Sequence, residues 1–460
     1  RSDPRPRQTT SGPSPDHGMK LERSLADPRR YRRQIERLFD RSLFSPARGA
    51  LRQDGVSLDA LFDGQAAISR RLASAAASGR YVFEPGRIRR IRIDGKERDV
   101  LDLRLTDRLV HAVTAGIVEE AGRRLLSSRL FSYRPGASWA DAAAGVAAYI
   151  RRHNRERPDP KARGLYVIHR DIDSYTDSIP VDPASPLWSM LAGILGGASA
   201  SLGPAWSTLL EVVRPQVLWP GGGLGRLLRG VPTGQPISCV LFNLYLHGLD
   251  RRLEAVAGGF YARYSDDILF AHPDPARALQ AADIIEEEAA RLSLRLKEEK
   301  SRDVYLNRAA RPSPETNRFG GRVSVAFLGT DIQADGTIAL GRDAARSLLR
   351  DLADRAARTA RAARPAGIEE RGRAVCAVMN RALHPEQAPL RQRSVDILRR
   401  VATHRPQLRQ LDYAIALLAL RAVTGVAGPR AFRIVPYARV RRDWGLGSLL
   451  HERNLGRGRD

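Results

Sequence analysis

Apolar positions follow two rhythms along this chain. Over 22–45 they recur at helical spacing, with Leu21, Leu25, Ile35, Leu38 and Phe39 as the buried face. Leu58, Leu61, Ile68 and Leu72 predict a second helix over 57–78. The rhythm then changes to alternation. Ile88-Arg89-Arg90-Ile91-Arg92-Ile93 reads as a strand, Asp94-Gly95 as a hairpin turn and 96–101 as the return strand. Helical spacing returns over 105–126 and 138–153. A short apolar strand at 164–168 leads into Asp171-Ile172-Asp173, and 187–216 reads as helix interrupted by glycines. After a glycine-rich loop at 220–225, a helix is predicted from Pro236 through Leu241, Leu244, Leu246 and Leu249. A hairpin over 259–271 carries Ser265-Asp266-Asp267 at its turn, and a helix follows over 275–290. Residues 323–332 read as one strand, with a turn and return over 336–338. From 342 to 426 the chain is mostly helical and arginine-rich, broken near Pro365, Pro385 and Pro406. Residues 1–20 read as a flexible lead-in and 431–460 as a basic tail.

Composition narrows the class. With 43% hydrophobic and 28% charged residues among 460, the chain is globular, and a wholly disordered protein is excluded. At ~100–200 residues per domain, two to four structural units are expected. Lysine and arginine number 76 against 51 acidic residues, a net charge of +25, which draws the chain to polyanions. No apolar run reaches the ~18 residues of a membrane span and no clear amphipathic anchor stands out, so nucleic acid is favoured over an anionic membrane. Only five basic residues are lysine: Lys20, Lys96, Lys161, Lys297 and Lys300. The arginine excess fits bidentate phosphate contacts, and equally a GC-rich genome. Cys239 and Cys376 are too few for a disulfide framework or a four-cysteine zinc site, and read as free thiols. The N-terminal stretch lacks the hydrophobic core of a signal peptide, so a soluble, intracellular chain is expected.

Two acidic loci carry the candidate chemistry. One ends the apolar strand at Asp171; the other is Tyr264-Ser265-Asp266-Asp267, between two apolar strands. They lie 95 residues apart, so their meeting is tertiary. Carboxylates gathered at one point repel, and a divalent cation between them offsets that repulsion. Mg2+ prefers hard oxygens and leaves positions open for phosphate. Two such ions ~3.5–4 Å apart can activate a 3′-hydroxyl and stabilise departing pyrophosphate. The plainer reading is an exposed turn that carries two aspartates. Three further segments are equally two-sided. The glycines of 230–238 allow close approach to a base or template strand, or simply start a helix. Lys96 and Arg98 can hold a triphosphate, or form a solvated turn. Lys300 can neutralise or protonate pyrophosphate, or sit in solvent.

In their order and spacing these pieces resemble a bacterial reverse transcriptase, of the group that includes group II intron, retron and antiphage-defence enzymes. The resemblance covers roughly 80–335. Asp171 matches the first catalytic aspartate of that family, and Asp266 and Asp267 its Tyr-x-Asp-Asp signature. Arg98, with Lys96, matches the basic fingers segment. Phe131-Ser132-Tyr133-Arg134-Pro135-Gly136-Ala137-Ser138 is similar to the template-side motif, and 230–238 to the nucleotide-contacting loop. Lys300 matches the later lysine motif, and Phe327-Leu328-Gly329 the primer grip.

The resemblance implies an α+β, right-hand polymerase fold with fingers, an antiparallel palm sheet with flanking helices, and a helical thumb. Fingers with an N-terminal extension would occupy 21–165, palm 166–186 and 226–340 around an insertion at 187–225, and thumb 341–430. Asp171, Asp266, Asp267 and Lys300 would be catalytic. Two Mg2+ ions, or Mn2+, would be held by the three aspartates and Ile172. Nucleotide contacts would come from Lys96, Arg98, Ile172, Tyr175, Thr176, Gly230, Pro232, Thr233, Gly234 and Gln235. Nucleic-acid contacts would come from Arg134, Pro236, Ser238, Tyr264, Phe327, Leu328 and Gly329. The implied partners are an RNA template, expected to be a structured non-coding RNA, with a DNA primer or product and dNTPs, in the bacterial cytoplasm and without a membrane; self-association stays open.

The chain departs from the family pattern at three places. Thr233 and Gln235 stand where relatives carry Gln and Ser. Thr176 stands where an aromatic ring usually blocks a ribose 2′-hydroxyl, and Tyr175 is expected to supply that ring. Val423-Thr424-Gly425 resembles a retron triplet but lies too late in the chain. No zinc spacing or endonuclease module is visible, which tips the reading toward antiphage defence. An RNA polymerase, a terminal nucleotide-adding enzyme, a group II intron or retron enzyme, and an inactive RNA-binding scaffold are the alternatives.

Overall fold

The computed structural model describes residues 19–42, 56–93, 96–157, 164–195, 203–231, 234–384 and 393–451. The lead-in over 1–18, the Asp94-Gly95 turn, Lys161, Pro232, Thr233, Pro385 and the tail's end over 452–460 lie outside the described residues, as do the side chains of Lys20, Lys96 and Arg98. The chain divides into two compact units, each assembled from three segments. One comprises Arg1–Tyr133, Ile172–Arg252 and Ile284–Lys297; the other comprises Arg134–Asp171, Leu253–Asp283 and Glu298–Asp460.

In the first unit, the predicted N-terminal helix is two helices, Met19–Leu25 and Pro28–Arg41. Asp27 causes the break: its carboxylate accepts from the Arg29 N–H, and Pro28, which lacks an N–H, starts the new helix. The second predicted helix also divides, into Leu58–Asp63 and Gln65–Ala77 at Gly64. Leu38, Phe39 and Ile68 are only half-buried, and Phe39 stacks on Phe62 with centroids 4.1 Å apart. The arginine-rich hairpin forms as expected, from Gly86–Ile93 and Lys96–Asp102. It belongs to a larger sheet, because Gln216–Leu218 pairs parallel with Gly86–Ile93 and Leu224–Arg226 adds the far edge. The helical reading of 187–216 therefore overran. The helices are Pro186–Leu195 and Ala205–Val213, and Pro215 disfavours helical geometry at Arg214, which ends the second at φ −128°. Ile88, Leu101 and Val217 form a small core beneath the sheet.

The second unit is built on a five-stranded sheet. Its order is Phe260–Tyr264, Asp267–His272, Leu165–Asp171, Arg302–Leu306, Gly320–Arg322. All pairs are antiparallel except the last. The central strand is almost wholly buried, which is why its sequence reads as a continuous apolar run. Helix Trp139–Glu156, capped by Ser138, covers Phe260–Tyr264, and Gly145 leaves room for the Phe260 ring. The single strand expected over 323–332 is instead a hairpin, Ser324–Phe327 with Thr330–Gln333, extended by Ile338–Leu340. It reverses at Leu328 (φ +52°) and Gly329 (φ +81°), and the Thr330 hydroxyl donates to the Phe327 carbonyl at 2.7 Å. Helices Arg342–Ala362, Ile368–Ala382, Arg393–Arg400 and Arg405–Thr424 follow. Pro406 lies in the first turn of the last, where a missing N–H costs nothing. Residues 431–451, read as a tail, are folded: Trp444 is buried against Gly372 and donates to Glu369 at 2.8 Å.

Candidate active site

Alternation along Leu165–Asp171 sends His169 and Asp171 to the same face of the sheet. Antiparallel register sets Asp267 directly opposite Asp171. Tyr264 pairs with Asp267, so Ser265 and Asp266 form a two-residue turn, with Ser265 at φ +60°. The fully buried Arg263 donates to the Ser265 carbonyl at 3.0 Å and holds that turn from the opposite face. One strand end and one hairpin turn thus bring Asp171, Asp266 and Asp267 into one another's electrostatic neighbourhood.

The carboxylates have unequal surroundings. Burial, aided by the charges of Asp171 and Asp267, pushes the Asp266 carboxyl up from 3.8 to about 6. Asp171 accepts from the Lys300 ammonium at 2.7 Å, and Asp267 meets His169 Nε2 at 2.6 Å. Burial pulls the Lys300 ammonium down, but the bond and charge of Asp171, with Asp266 and Asp267 nearby, outweigh it and raise it above its ordinary value. Lys300 thus ion-pairs with the cluster while its side chain stays 47% exposed. Elsewhere on the same sheet the balance is reversed. Asp303 receives Arg170 and Arg318, both at 2.7 Å. Burial raises its carboxyl, and the two guanidiniums more than offset this and hold it low.

The cluster has the donor chemistry of a divalent-cation site: hard oxygens, one of them costly to ionise without more positive charge. Among the described residues, however, no three His, Cys, Asp or Glu side chains are gathered as a ready metal cage. Lys300 and His169 occupy carboxylate oxygens that metal ligation would require.

The family described as "Reverse transcriptase (RNA-dependent DNA polymerase)" matches residues 94–332. The chain belongs to the reverse transcriptase family. The α+β architecture, with mixed sheets and flanking helices, is the palm-type polymerase fold of that family. Solved structures with similarity include telomerase from Candida albicans in complex with a TWJ fragment of telomeric RNA, at 12% identity and TM-score 0.40, covering 77% of this chain and 63% of that one. Apo telomerase from Candida tropicalis, truncated from its C-terminal domain, gives 14%, 0.39, 56% and 56%. The Candida tropicalis enzyme with a TWJ fragment gives 12%, 0.38, 80% and 65%. This chain thus spans less than two thirds of each of those chains. No curated protein matches.

The other expected site residues have mixed fates. Tyr175, the ring expected to block a ribose 2′-hydroxyl, is 2% exposed, its hydroxyl donates to the Phe242 carbonyl at 2.7 Å, and its ring packs on Phe242. Thr176 is half-buried and its carbonyl accepts from the Val231 N–H at 2.8 Å. Gly230 (φ +88°) donates to the Ile179 carbonyl, and a Cβ there would sit 3.1 Å from Asp177 Cα. Glycine is required at that approach. Gly234 (φ +94°) is exposed and Pro236 opens helix Pro236–Tyr245. Gln235 and Ser238 are buried, because this helix start packs inward with helix Leu105–Gly122. Gln235 faces the buried His111, though neither side chain makes a well-formed hydrogen bond. Ile172 is buried and bridges to Leu296.

Template-side and primer-grip positions divide similarly. Arg134 and Tyr264 are half-buried. The template-side motif is anchored by Ser132 and Asn243, which exchange bonds of 2.9 Å. Phe327 is buried, edge-on to the His169 ring at 6.0 Å, so it braces that histidine. The Leu328 carbonyl accepts from Arg393 at 3.0 Å, and Gly329 is exposed. Sequence reasoning missed His169 and Arg263. The two-residue spacing of His169 from Asp171 was the available signal for the first.

Proposed function

We propose that this chain is an RNA-directed DNA polymerase acting through Asp171, Asp266 and Asp267. The observation that supports it is the convergence of these aspartates, from loci 95 residues apart, with Asp266 held near 6 by burial and its neighbours' charge. Two Mg2+ ions, replaceable by Mn2+, bound by these carboxylates and the Ile172 backbone, would supply Lewis-acid stabilisation of the attacking 3′-oxygen and the pyrophosphate. The chain's own residues do the rest. His169 and Phe327 fix the Asp267 carboxylate, and Arg263 fixes the turn that carries Asp266. Lys300 keeps Asp171 balanced and offers its proton to the leaving pyrophosphate. Lys96 and Arg98 orient the triphosphate, 230–238 positions the nascent pair, and the arginine-rich helices after 341, read as the thumb, hold duplex phosphates without regard to sequence.

Replacing Asp266 and Asp267 together by Asn is expected to abolish primer extension while RNA binding persists. Extension by that variant would overturn the site. The template is proposed to be a structured non-coding RNA of a bacterial antiphage-defence system, in the cytoplasm. Sequencing of copurified RNA and attached DNA tests that assignment. The burial of Tyr175 favours one second reading, RNA synthesis on the same fold, because the ring expected to exclude a 2′-hydroxyl is committed elsewhere. Parallel extension with dNTPs and rNTPs separates the two: a preference for rNTPs sinks the DNA-synthesis reading.

A further inference from the structure

The end of the chain folds into an aromatic and arginine surface that the carboxylate chemistry does not use. Helix Arg405–Thr424 carries Arg405, Arg409 and Tyr413 at four-residue spacing, hence on one face. The turn Pro429–Arg433 sets Phe432 against Tyr413, with centroids 5.5 Å apart. Tyr437, opening helix Tyr437–Arg442, meets Phe432 edge-on at 5.7 Å. Phe432 is half-buried, while Tyr413 is 44% and Tyr437 37% exposed. Arg441 lies over the Tyr437 ring at 5.3 Å and donates to its hydroxyl. Arg441 is itself held by Asp412 and by the Leu446 and Gly447 carbonyls. The rings are therefore fixed in place before any partner arrives.

Arginine predominates around them, with Arg439 paired to Glu369 and Asp443, and Arg442 to Asp443, at the edge of the surface. Residues 405–442 contain eight arginines and a single acid, Asp412. That aspartate is buried and accepts from Ser448 and the Leu449 N–H, so it presents nothing outward. Arg409, Arg430 and Arg433 are exposed. Exposed π faces within an acid-poor arginine field match a partner with flat rings and phosphates. A duplex hides its base faces, so it gains from the arginines but not from the rings.

We propose that this surface binds unpaired RNA, with bases stacking on Tyr413 and Tyr437 and phosphates meeting Arg409, Arg430 and Arg433. The choice of RNA rests on the polymerase reading above: such an enzyme holds a template with unpaired stretches, whereas its product pairs as it forms.

The test uses the full chain with a labelled, unstructured oligouridine, its deoxy counterpart and an RNA duplex, read by anisotropy, with extension of a short primer–template alongside. Changing Tyr413 and Tyr437 to Ala is expected to weaken oligouridine binding about 100-fold, at about tenfold per stacked base. Duplex binding, salt slope and extension stay as in the unmodified chain. Changing both to Phe restores binding, since stacking needs the ring and not the hydroxyl. Changing Arg409, Arg430 and Arg433 to Ala lowers the salt slope by about 2. Undiminished oligouridine binding by the Ala variant, an equal loss on duplex, or tighter binding of the deoxy strand overturns the proposal. A chain that extends no primer yet binds oligouridine through both tyrosines sinks the polymerase reading and supports this surface.

Discussion

Asp266 shows what the site costs the fold. Its carboxyl titrates near 6 when folded, against an ordinary 3.8. Above pH 6 the folded chain carries a charge that the unfolded chain accommodates more easily. A gap of about 2 units corresponds to about 3 kcal/mol of lost stability at pH 8, vanishing below pH 4, where both states are protonated. Asp266→Asn is therefore expected to unfold at higher denaturant in chelator at pH 8, and alike with the parent at pH 3.5, while losing activity. His111 has the opposite sign. Burial pulls its imidazole from 6.5 down to about 3. As pH falls below 6.5 the unfolded chain takes up a proton that the folded chain refuses, so stability declines by up to ~1.4 kcal/mol per unit. His111→Gln is expected to flatten that limb of a urea-midpoint profile between pH 6.5 and 4. At this scale the placement of the aspartates was legible, because strand, turn and residue type agree at Asp171 and Asp266. The burial of Tyr175 and Gln235 was not. Both depend on Phe242 and His111, partners that no local pattern reveals.

Elements were read best where one rhythm ran uninterrupted. Helix Trp139–Glu156 and the strands around Asp266 stand close to their predicted places. The misreadings have a common cause: a break made by one residue inside an apolar run. Leu328 turns back at positive φ without being glycine, and Asp27 ends one helix by capping the next. The closing segment was misjudged because its charge masked its anchors. Trp444 lies so close over Gly372 that a Cβ there would sit 2.1 Å from the indole. Gly372→Ala is expected to destabilise the helical region by about 1–3 kcal/mol, seen as a lower thermal midpoint, with a smaller loss when combined with Trp444→Phe.

At the scale of the molecule, net charge was the most general signal, and +25 carries a measurable consequence. Affinity for any RNA is expected to fall as a power of salt concentration, with a slope near −0.7 per single-strand phosphate neutralised. A flat salt profile would remove the electrostatic basis of the interaction. The division into units was invisible in composition, because neither is a continuous stretch: the chain crosses between them five times. That interlacing has a bearing on inheritance and synthesis. No nascent chain shorter than Lys297 holds all of the first unit, and the second begins at Arg134 yet closes only with the last helices. Neither can be lifted out by a single recombination event or released by one protease nick.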